Sequence, residues 1–449
     1  MNELDAQHID DLYARELARF TRERPRSLAL HEQARAHMPS GVPMAWMAGL
    51  YAHPPLFVAG GAGTHFTDVD GHRYLDMNQA DMSMACGFGP EPVVRAVSAQ
   101  VARGSQFLLP TEDAIAVSSL LAERFGLPFW QYTLSASAAN TEVIRLARLA
   151  TGRRKILRFE GSYHGHIDDT LAGTPHDRAR EARHGTLVAP FNDLGALESA
   201  LAAGEIACVI TEPALTNINV VLPDDGFHEA LRKLTAQHGT LLVIDETHTH
   251  ICAYGGLTRA WKLAPDIFVV GKAIAGGVPM GTYGITAELA ALMERELEVD
   301  QWPAGASGHL AVGGTLFGNP LSMAAARAAL EEILTPEGHA RVARLGAQLS
   351  DGIEGIVRDA ALPWTAHRLS CRSGVCYAPR LPRNAAEAAA AANFARNRLH
   401  RVFLANRGVW EAIGTAGPAV SFAATQHDIA HYLGVFEELV RAMCRGASA

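Results

Sequence analysis

The sequence predicts an α/β fold: a large domain with a mostly parallel central sheet, and a smaller α+β domain. Three observations predict it. Between about residues 90 and 330, short runs rich in Val and Ile alternate with helical stretches, as in layered α/β architectures. Those runs are apolar throughout, as strands buried on both faces are. Two of them end on a charged residue, at the carboxyl edge where such sheets carry functional loops.

The first ~35 residues read as amphipathic helix, with Leu12, Leu17 and Phe20 set among charges. Met38 to Pro55 is rich in Pro, Gly and Met and should be irregular. Strands are expected near Leu56–Val58 and Thr64–Asp68, with Asp70-Gly71 turning the chain into Tyr74-Leu75-Asp76. The sheet candidates are Tyr132–Leu134, Lys155–Phe159, Ile206–Thr211, Leu241–Asp245 and Ile267–Val270. A helix over Pro320–Leu334 leads into the second lobe, where alanine-rich Ala385–Ala392 reads as helix. The last helix carries Ile429, Leu433, Phe436, Val440 and Met443 at helical spacing, behind Thr425 and Asp428 at capping-box positions. The expected division is residues 1–70 with the small domain, 71–334 as the large domain and 335–449 as the C-terminal small domain.

Composition narrows the function. The 449 residues hold 39 Lys+Arg against 47 Asp+Glu, a net charge of −8, which argues against a nucleic-acid binder. The start, Met1-Asn2-Glu3-Leu4-Asp5, has neither a basic nor an apolar leader region, so no secretory signal is expected. No apolar run is long enough to predict a membrane span. Six scattered cysteines, of which only Cys371 and Cys376 are close, suit reduced thiols in a cytoplasmic protein. No Walker-type or G-x-G-x-x-G loop is present.

Two strand ends carry the chemistry. Leu241–Ile244 delivers Asp245 and Glu246; Ile267–Val270 delivers Gly271 and Lys272, with Gly276 and Gly277 beyond. A lysine at the end of an apolar strand is uncommon, because desolvating an ammonium is costly and lowers its pKa. A neutral amine there can form a Schiff base with an aldehyde cofactor. An aspartate under a pyridine nitrogen would keep that nitrogen protonated and make the ring an electron sink. Either residue alone is ordinary, since Asp-Glu after a strand is usually a helix cap and Gly-Lys a surface turn.

Ser135-Ala136-Ser137-Ala138-Ala139-Asn140 lies between a strand and the helix expected over Thr141–Thr151. Small residues, hydroxyls and helix-start N–H groups can make a phosphate cup, or Ser135 can simply cap the helix. Tyr163, between Gly161 and Gly165, can lie flat on a planar cofactor or cap the core. Gly313-Gly314-Thr315 offers a hydroxyl and amides to a phosphate. The His-x-His of Thr247-His248-Thr249-His250 could suit a metal, but the segment already reads as the loop after Asp245, and Arg259 reads as an exposed helix-start residue rather than a substrate contact.

In order along the chain, these pieces resemble the class III aminotransferases of pyridoxal-5′-phosphate (PLP) fold type I, and within them the glutamate-1-semialdehyde aminomutase branch. The resemblance runs from about Met38 to Met443. It rests on Pro39-Ser40-Gly41-Val42, Tyr74-Leu75-Asp76, Pro110-Thr111-Glu112, Ser135–Ser137, Ile144-Arg145-Leu146-Ala147-Arg148, Phe159-Glu160-Gly161 with Tyr163-His164-Gly165, Glu212-Pro213 with Asn217, Asp245-Glu246, Gly271-Lys272 and Gly318-Asn319-Pro320. It implies that Lys272 carries PLP and shuttles the proton, and that Asp245 pairs with the pyridine nitrogen. Tyr163 would stack on the ring, Ser135, Ala136 and Ser137 would hold the phosphate, and Asn217 and Glu212 would lie near the ring's phenolic oxygen. Thr247 joins the cofactor-binding residues where the family usually has Val or Ile. Thr315 would reach the phosphate of a neighbouring subunit, so a homodimer with shared sites is implied.

Departures bear on the substrate. A glutamate usual after the cup serine is Ala138. The carboxylate-holding arginine of the branch is missing from Pro43-Met44-Ala45-Trp46-Met47. A pocket tryptophan is replaced by Asp81, and a late acidic residue is absent from Ala412–Gly417. Trp46 and Asp81 are the candidate substrate residues; Asp81 can meet a hydroxyl or a cation, or cap a helix at the pocket wall. Losing an arginine and gaining an aspartate should change selectivity. The expected activity is therefore transamination from an amine or a β- or ω-amino acid to a keto acid. The alternatives are an aminomutase of the glutamate-1-semialdehyde type, an epimerase or ammonia-lyase on the same cofactor, and a non-catalytic binding protein.

Overall fold

The computed structural model describes residues 5–172, 185–296, 310, 312–411 and 417–445. Thirteen strands follow in chain order: β1 Val58–Ala62, β2 His65–Asp68, β3 Arg73–Asp76, β4 Phe129–Thr133, β5 Lys155–Phe159, β6 Thr186–Ala189, β7 Ile206–Thr211, β8 Leu241–Asp245, β9 Ile267–Val270, β10 Gly281–Ile285, β11 Thr365–Leu369, β12 Arg372–Cys376 and β13 Val409–Trp410. The chain divides into two compact units, one of Met1–Pro90, Ala340–Leu381 and Ala389–Ala449, the other of Glu91–His339 and Pro382–Ala388. The first break falls after Pro90 rather than after residue 70, because β3 pairs with both β2 and β13 and so stays with the first unit.

In the first unit, β1, β2, β3 and β13 form one sheet and β11 and β12 a hairpin. The amphipathic N-terminal stretch is two helices, Ala6–Arg22 and Pro25–Ala34, broken where Pro25 starts the second. The irregular segment holds only a 3-10 turn at Pro39–Gly41 and a one-turn helix at Trp46–Gly49. The last helix, Gln426–Cys444, has the expected capping box: Asp428 N–H donates to Thr425 Oγ1, and Thr425 N–H to Asp428 Oδ2.

The second unit is built on a seven-stranded sheet in the order β4-β10-β9-β8-β7-β5-β6. Only β10 runs against its neighbours. β7, β9 and β10 are buried at every position, which explains their unbroken apolar or small-residue sequences. Two apolar layers cover the sheet, one centred on Val143, Ile210, Val243 and Val269, the other on Phe159, Val209, Ile244 and Phe227. Each such aliphatic side chain contributes about 1.5–3 kcal/mol by leaving water.

Register decides where the functional loops emerge. Thr211 pairs with Ile244 and Asp245 with Val269, so β7, β8 and β9 end together. Antiparallel to its neighbours on both sides, β10 turns β4 parallel to β9, and the chain after Thr133 leaves at the same edge. Five loops thus share one edge of the sheet: those starting at Ser135, Glu160, Glu212, Glu246 and Gly271.

Candidate active site

The two strand-end residues are in place. Lys272 follows β9 in a 3-10 turn, partly buried, with a left-handed backbone (φ 53°) that is costly for a side chain with a Cβ. Gly271 before it packs on the phosphate-cup segment, where an added Cβ would come within 3.1 Å of Ala136 Cβ. Gly281 is tighter still, since its Cβ would meet the Ser135 carbonyl carbon at 2.2 Å. These glycines let Ser135–Ser137 lie directly on β9 and β10, beside the turn that carries Lys272.

Asp245 is buried at the end of β8 and its carboxylate is fully engaged. Oδ2 accepts from Asn140 Nδ2 at 2.9 Å and from His164 Nδ1 at 3.1 Å. Oδ1 accepts from the Thr247 amide at 3.0 Å and from its hydroxyl at 2.6 Å. Burial pushes the carboxyl up, but His164, Thr247 and Asn140 outweigh it and hold Asp245 below the usual carboxylate range. A depressed carboxylate is ionised at neutral pH and is lost only in acid, as the pH falls through its folded value.

Glu246, one residue on, does something else. Its carboxylate accepts from the amides of Leu257 (2.9 Å) and Thr258 (2.5 Å) and from the Thr249 hydroxyl (2.9 Å). It therefore caps the helix Gly256–Ala260 from outside that helix. Within the Asp-Glu pair, the helix-cap reading holds for the second residue.

The cup is the start of the helix Ala136–Thr151. Ser135 is its N-cap, with Oγ accepting from Ala138 N–H at 3.2 Å, so the cap reading holds for this residue. Gly165 (φ 96°) lets the next loop close on the cup, because a Cβ there would lie 2.2 Å from Ser137 Oγ. That loop leaves Tyr163 46 % exposed, with its amide donating to Glu212 Oε1 at 3.2 Å. Glu212 is buried and pushed up by that burial, against the opposing effect of His164, Thr216 and the Tyr163 amide.

Elsewhere the candidates fall as follows. Thr315 is exposed on a loop whose carbonyl accepts from Gln106 Nε2 at 2.5 Å. Trp46 and Asp81 belong to the first unit, Trp46 half exposed on its one-turn helix. Asp81 lies in a run of four left-handed non-glycine residues, Gln79 to Met82 (φ 55°, 47°, 56° and 63°). Asp76 pins that run by accepting from the amides of Asn78, Gln79 and Ala80, and burial pushes its carboxyl up to about 6. The late segment without its acidic residue, 412–416, lies outside the described residues. Arg259 donates to the carbonyl of Glu123 at the end of a helix rather than to a pocket. His248 and His250 serve different partners: the first lies 2.9 Å from Thr216 Oγ1, the second 3.1 Å from the Glu246 carbonyl. Burial takes His250 down to about 4, so it is neutral and donates through Nδ1. Nothing in the sequence pairs Asn140 or His164 with Asp245; only the fold brings them together.

The arrangement fits PLP. Asn217 Nδ2 is a buried donor with no acceptor among the described residues, as a contact for a phenolic oxygen would be. Asp245 is held ionised, as a partner for a protonated ring nitrogen must be. The small-residue start of a 16-residue helix suits a phosphate.

A profile of the class III aminotransferases matches residues 47–362. The chain belongs to the class III aminotransferases. It is therefore a PLP-dependent enzyme of fold type I. It is 34% identical over 427 residues to a glutamate-1-semialdehyde 2,1-aminomutase of Nitratidesulfovibrio vulgaris, covering 91% of this chain and 97% of that one. Among solved structures, a glutamate-1-semialdehyde aminomutase of Pseudomonas aeruginosa in complex with PMP superimposes with a TM-score of 0.92 at 36% identity, covering 98% of this chain and 99% of that one. A β-phenylalanine aminotransferase of Variovorax paradoxus gives 0.86 at 26% identity, covering 96% and 97%. Among the described residues, no helix is long and apolar enough to cross a membrane.

Proposed function

We propose that this enzyme moves an amino group within one small substrate molecule, as the glutamate-1-semialdehyde aminomutases do, with Lys272 and Asp245 at its centre. The observation that supports the site is the shared ending of β8 and β9, which sets an ionised, four-times hydrogen-bonded Asp245 beside the turn carrying Lys272. PLP supplies an aldehyde and an electron-withdrawing ring that stabilises negative charge on the carbon bearing the amine. Lys272 would hold the cofactor through its ε-amine and would carry the proton to and from the substrate carbon. Asp245 would face the ring nitrogen, Asn217 the phenolic oxygen, and Ser135–Ser137 would hold the phosphate. The intramolecular course is supported by relatives at 34% and 36% identity that bear the aminomutase name.

A second reading, transamination from an amine or a β- or ω-amino acid to a keto acid, is favoured by two features of the first unit: Pro43–Met47 has no arginine, and Asp81 stands on the pinned turn. Product analysis with no keto acid separates the two. Glutamate 1-semialdehyde is expected to be converted over many turnovers. One turnover that resumes only when a keto acid is added would establish the second reading, and no conversion of any amino substrate would remove both.

The functional form is proposed to be a homodimer in which Thr315 serves the partner's phosphate. Leu108, Leu109 and Ile115 are 71 %, 70 % and 73 % exposed, and Leu316 next to Thr315 is 53 % exposed. Such apolar surface calls for a cover, and a second copy is the one proposed. Leu108→Asp is expected to convert the dimer to monomer in sedimentation and to weaken PLP retention at least ~10-fold, the size of one lost contact of about 1.4 kcal/mol. An unchanged dimer would remove this support.

A further inference from the structure

The helix that starts in the phosphate cup, Ala136–Thr151, carries a single carboxylate, Glu142. It stands about two turns after Ser135, on the same side of the helix. Only 5 % of its surface is exposed. Oε2 accepts from the Tyr283 hydroxyl of β10 at 2.9 Å, and Oε1 accepts from the Gly313 amide at 2.5 Å. Burial pushes the carboxyl up, against the opposing effect of the Gly313 amide, the Tyr283 hydroxyl and Arg145. A buried acid is a poor choice for stability, since apolar side chains of similar volume often do as well. What it holds is a loop: Gly313 opens the exposed stretch 313–316, and Thr315 follows two residues on.

The other fixings of that stretch are of a different kind. The Thr315 carbonyl accepts from Gln106 Nε2 at 2.5 Å, and the Leu316 carbonyl from Asn319 Nδ2 at 2.8 Å. Gln106 precedes the exposed Phe107, Leu108 and Leu109, and Asn319 belongs to the same segment as the loop it holds. Glu142 alone of these three partners sits on an element packed into the apolar layer of the large sheet, where its helix neighbours Val143 and Leu146 are fully buried. Gly313 meets it with a left-handed backbone (φ 98°) that glycine adopts without penalty.

We propose that Glu142 is a positioning residue for the phosphate of the neighbouring subunit, bracing the Thr315 loop against the cup helix through the Gly313 amide. This rests on the reading of Thr315 given above, and adds to it the group that holds Thr315 in place. Glu142 touches neither cofactor nor substrate in this role. It acts by keeping the Gly313 amide paired, so that the loop presents the Thr315 hydroxyl in one geometry rather than several.

The test measures, for dimeric holoenzyme, the preference for PLP over pyridoxal, which has the same aldehyde and ring but no phosphate. The preference is the ratio of the two dissociation constants, read by absorption after reconstitution, with sedimentation on the same samples. Thr315→Ala is expected to lower the ratio about tenfold, the ~1.4 kcal/mol of one hydrogen bond. Glu142→Ala should lower it by a similar factor, with pyridoxal binding and the dimer unchanged. Glu142→Gln should recover the parent's ratio, because its amide keeps an oxygen for Gly313 and offers an N–H to Tyr283 Oη. Where Glu142→Ala does not fold, Glu142→Met takes its place, filling the space without an acceptor. A lower ratio for Thr315→Ala beside an unchanged one for the alanine or methionine variant of Glu142 would overturn the brace. So would an equal loss of PLP and pyridoxal, the mark of a merely structural role. An unchanged ratio for Thr315→Ala would remove the reading of Thr315 itself, and the brace with it.

Discussion

Lys272→Ala is expected to give a folded protein that binds PLP without a covalent link and turns over at least ~10³-fold more slowly. The factor comes from proton transfer alone, for which a positioned side chain contributes about 10²–10⁴; loss of the covalent hold adds to it. Folding should survive, because Lys272 is only partly buried and alanine at φ 53° meets the same backbone cost that lysine already meets. The measurement is borohydride reduction followed by peptide mass mapping. The parent protein should carry the reduced adduct on the peptide containing residue 272, and the variant should carry none. An adduct on another lysine, or turnover within tenfold of the parent, would overthrow the assignment.

The legibility of that lysine has a physical basis. β8 and β9 are buried on both faces, so their sequences are unbroken runs of Leu, Val, Ile and Phe, and the first charged residue after each run stands out. The same rule fails for β10. Its Gly281 and Gly284 have no room for a side chain, against the Ser135 backbone and the Trp130 ring, so the strand most closely packed on the cup has the weakest strand signal. The sequence expectation for β4 is Tyr132–Leu134, but the strand is Phe129–Thr133, because it pairs along its length with β10, whose glycines carry no strand signal.

Side-chain partnerships are hidden for a different reason. Asn140, His164 and Asp245 are far apart in the chain, and only the parallel strand order brings them to one carboxylate. The same holds for Thr216 and His248, which no local pattern links. The left-handed run Gln79–Met82 leaves no mark in the sequence, because none of its residues is glycine. At ~1–2 kcal/mol per residue such a run persists only where something compensates, and the Asp76 carboxylate does so with three amides. The run holds Asp81, so the position thought to bear on substrate choice is set by backbone strain as well as by its charge.

The neighbouring acids Asp245 and Glu246 should separate chemistry from stability. Glu246→Ala removes the acceptor of two buried amides and one hydroxyl, each costing about 1–3 kcal/mol when left unmade. Part of this is offset, because the carboxylate itself is costly to bury, as its raised pKa shows: burial outweighs its donors from Thr258, Leu257 and Thr249. A net loss of about 3 kcal/mol is expected, lowering the melting temperature by roughly 3–6 °C. A group with a raised folded pKa is least favourable above its folded value, so the parent's deficit at Glu246 should shrink as the pH falls through that value toward the ordinary glutamate range. Asp245→Asn should do the reverse. Asparagine keeps an oxygen for Thr247 and most of the packing, but its amide takes the acceptor from Asn140 Nδ2 and His164 Nδ1, so the melting temperature of the cofactor-free protein should fall by ~2–4 °C, for a loss of about 1–3 kcal/mol. It cannot hold a ring nitrogen protonated, and turnover should fall by at least ~10²-fold. Thermal melts and turnover on the two variants, measured side by side, decide it: a Glu246→Ala protein as stable as its parent, or an Asp245→Asn protein as active, would show that the two carboxylates do not divide the work in this way.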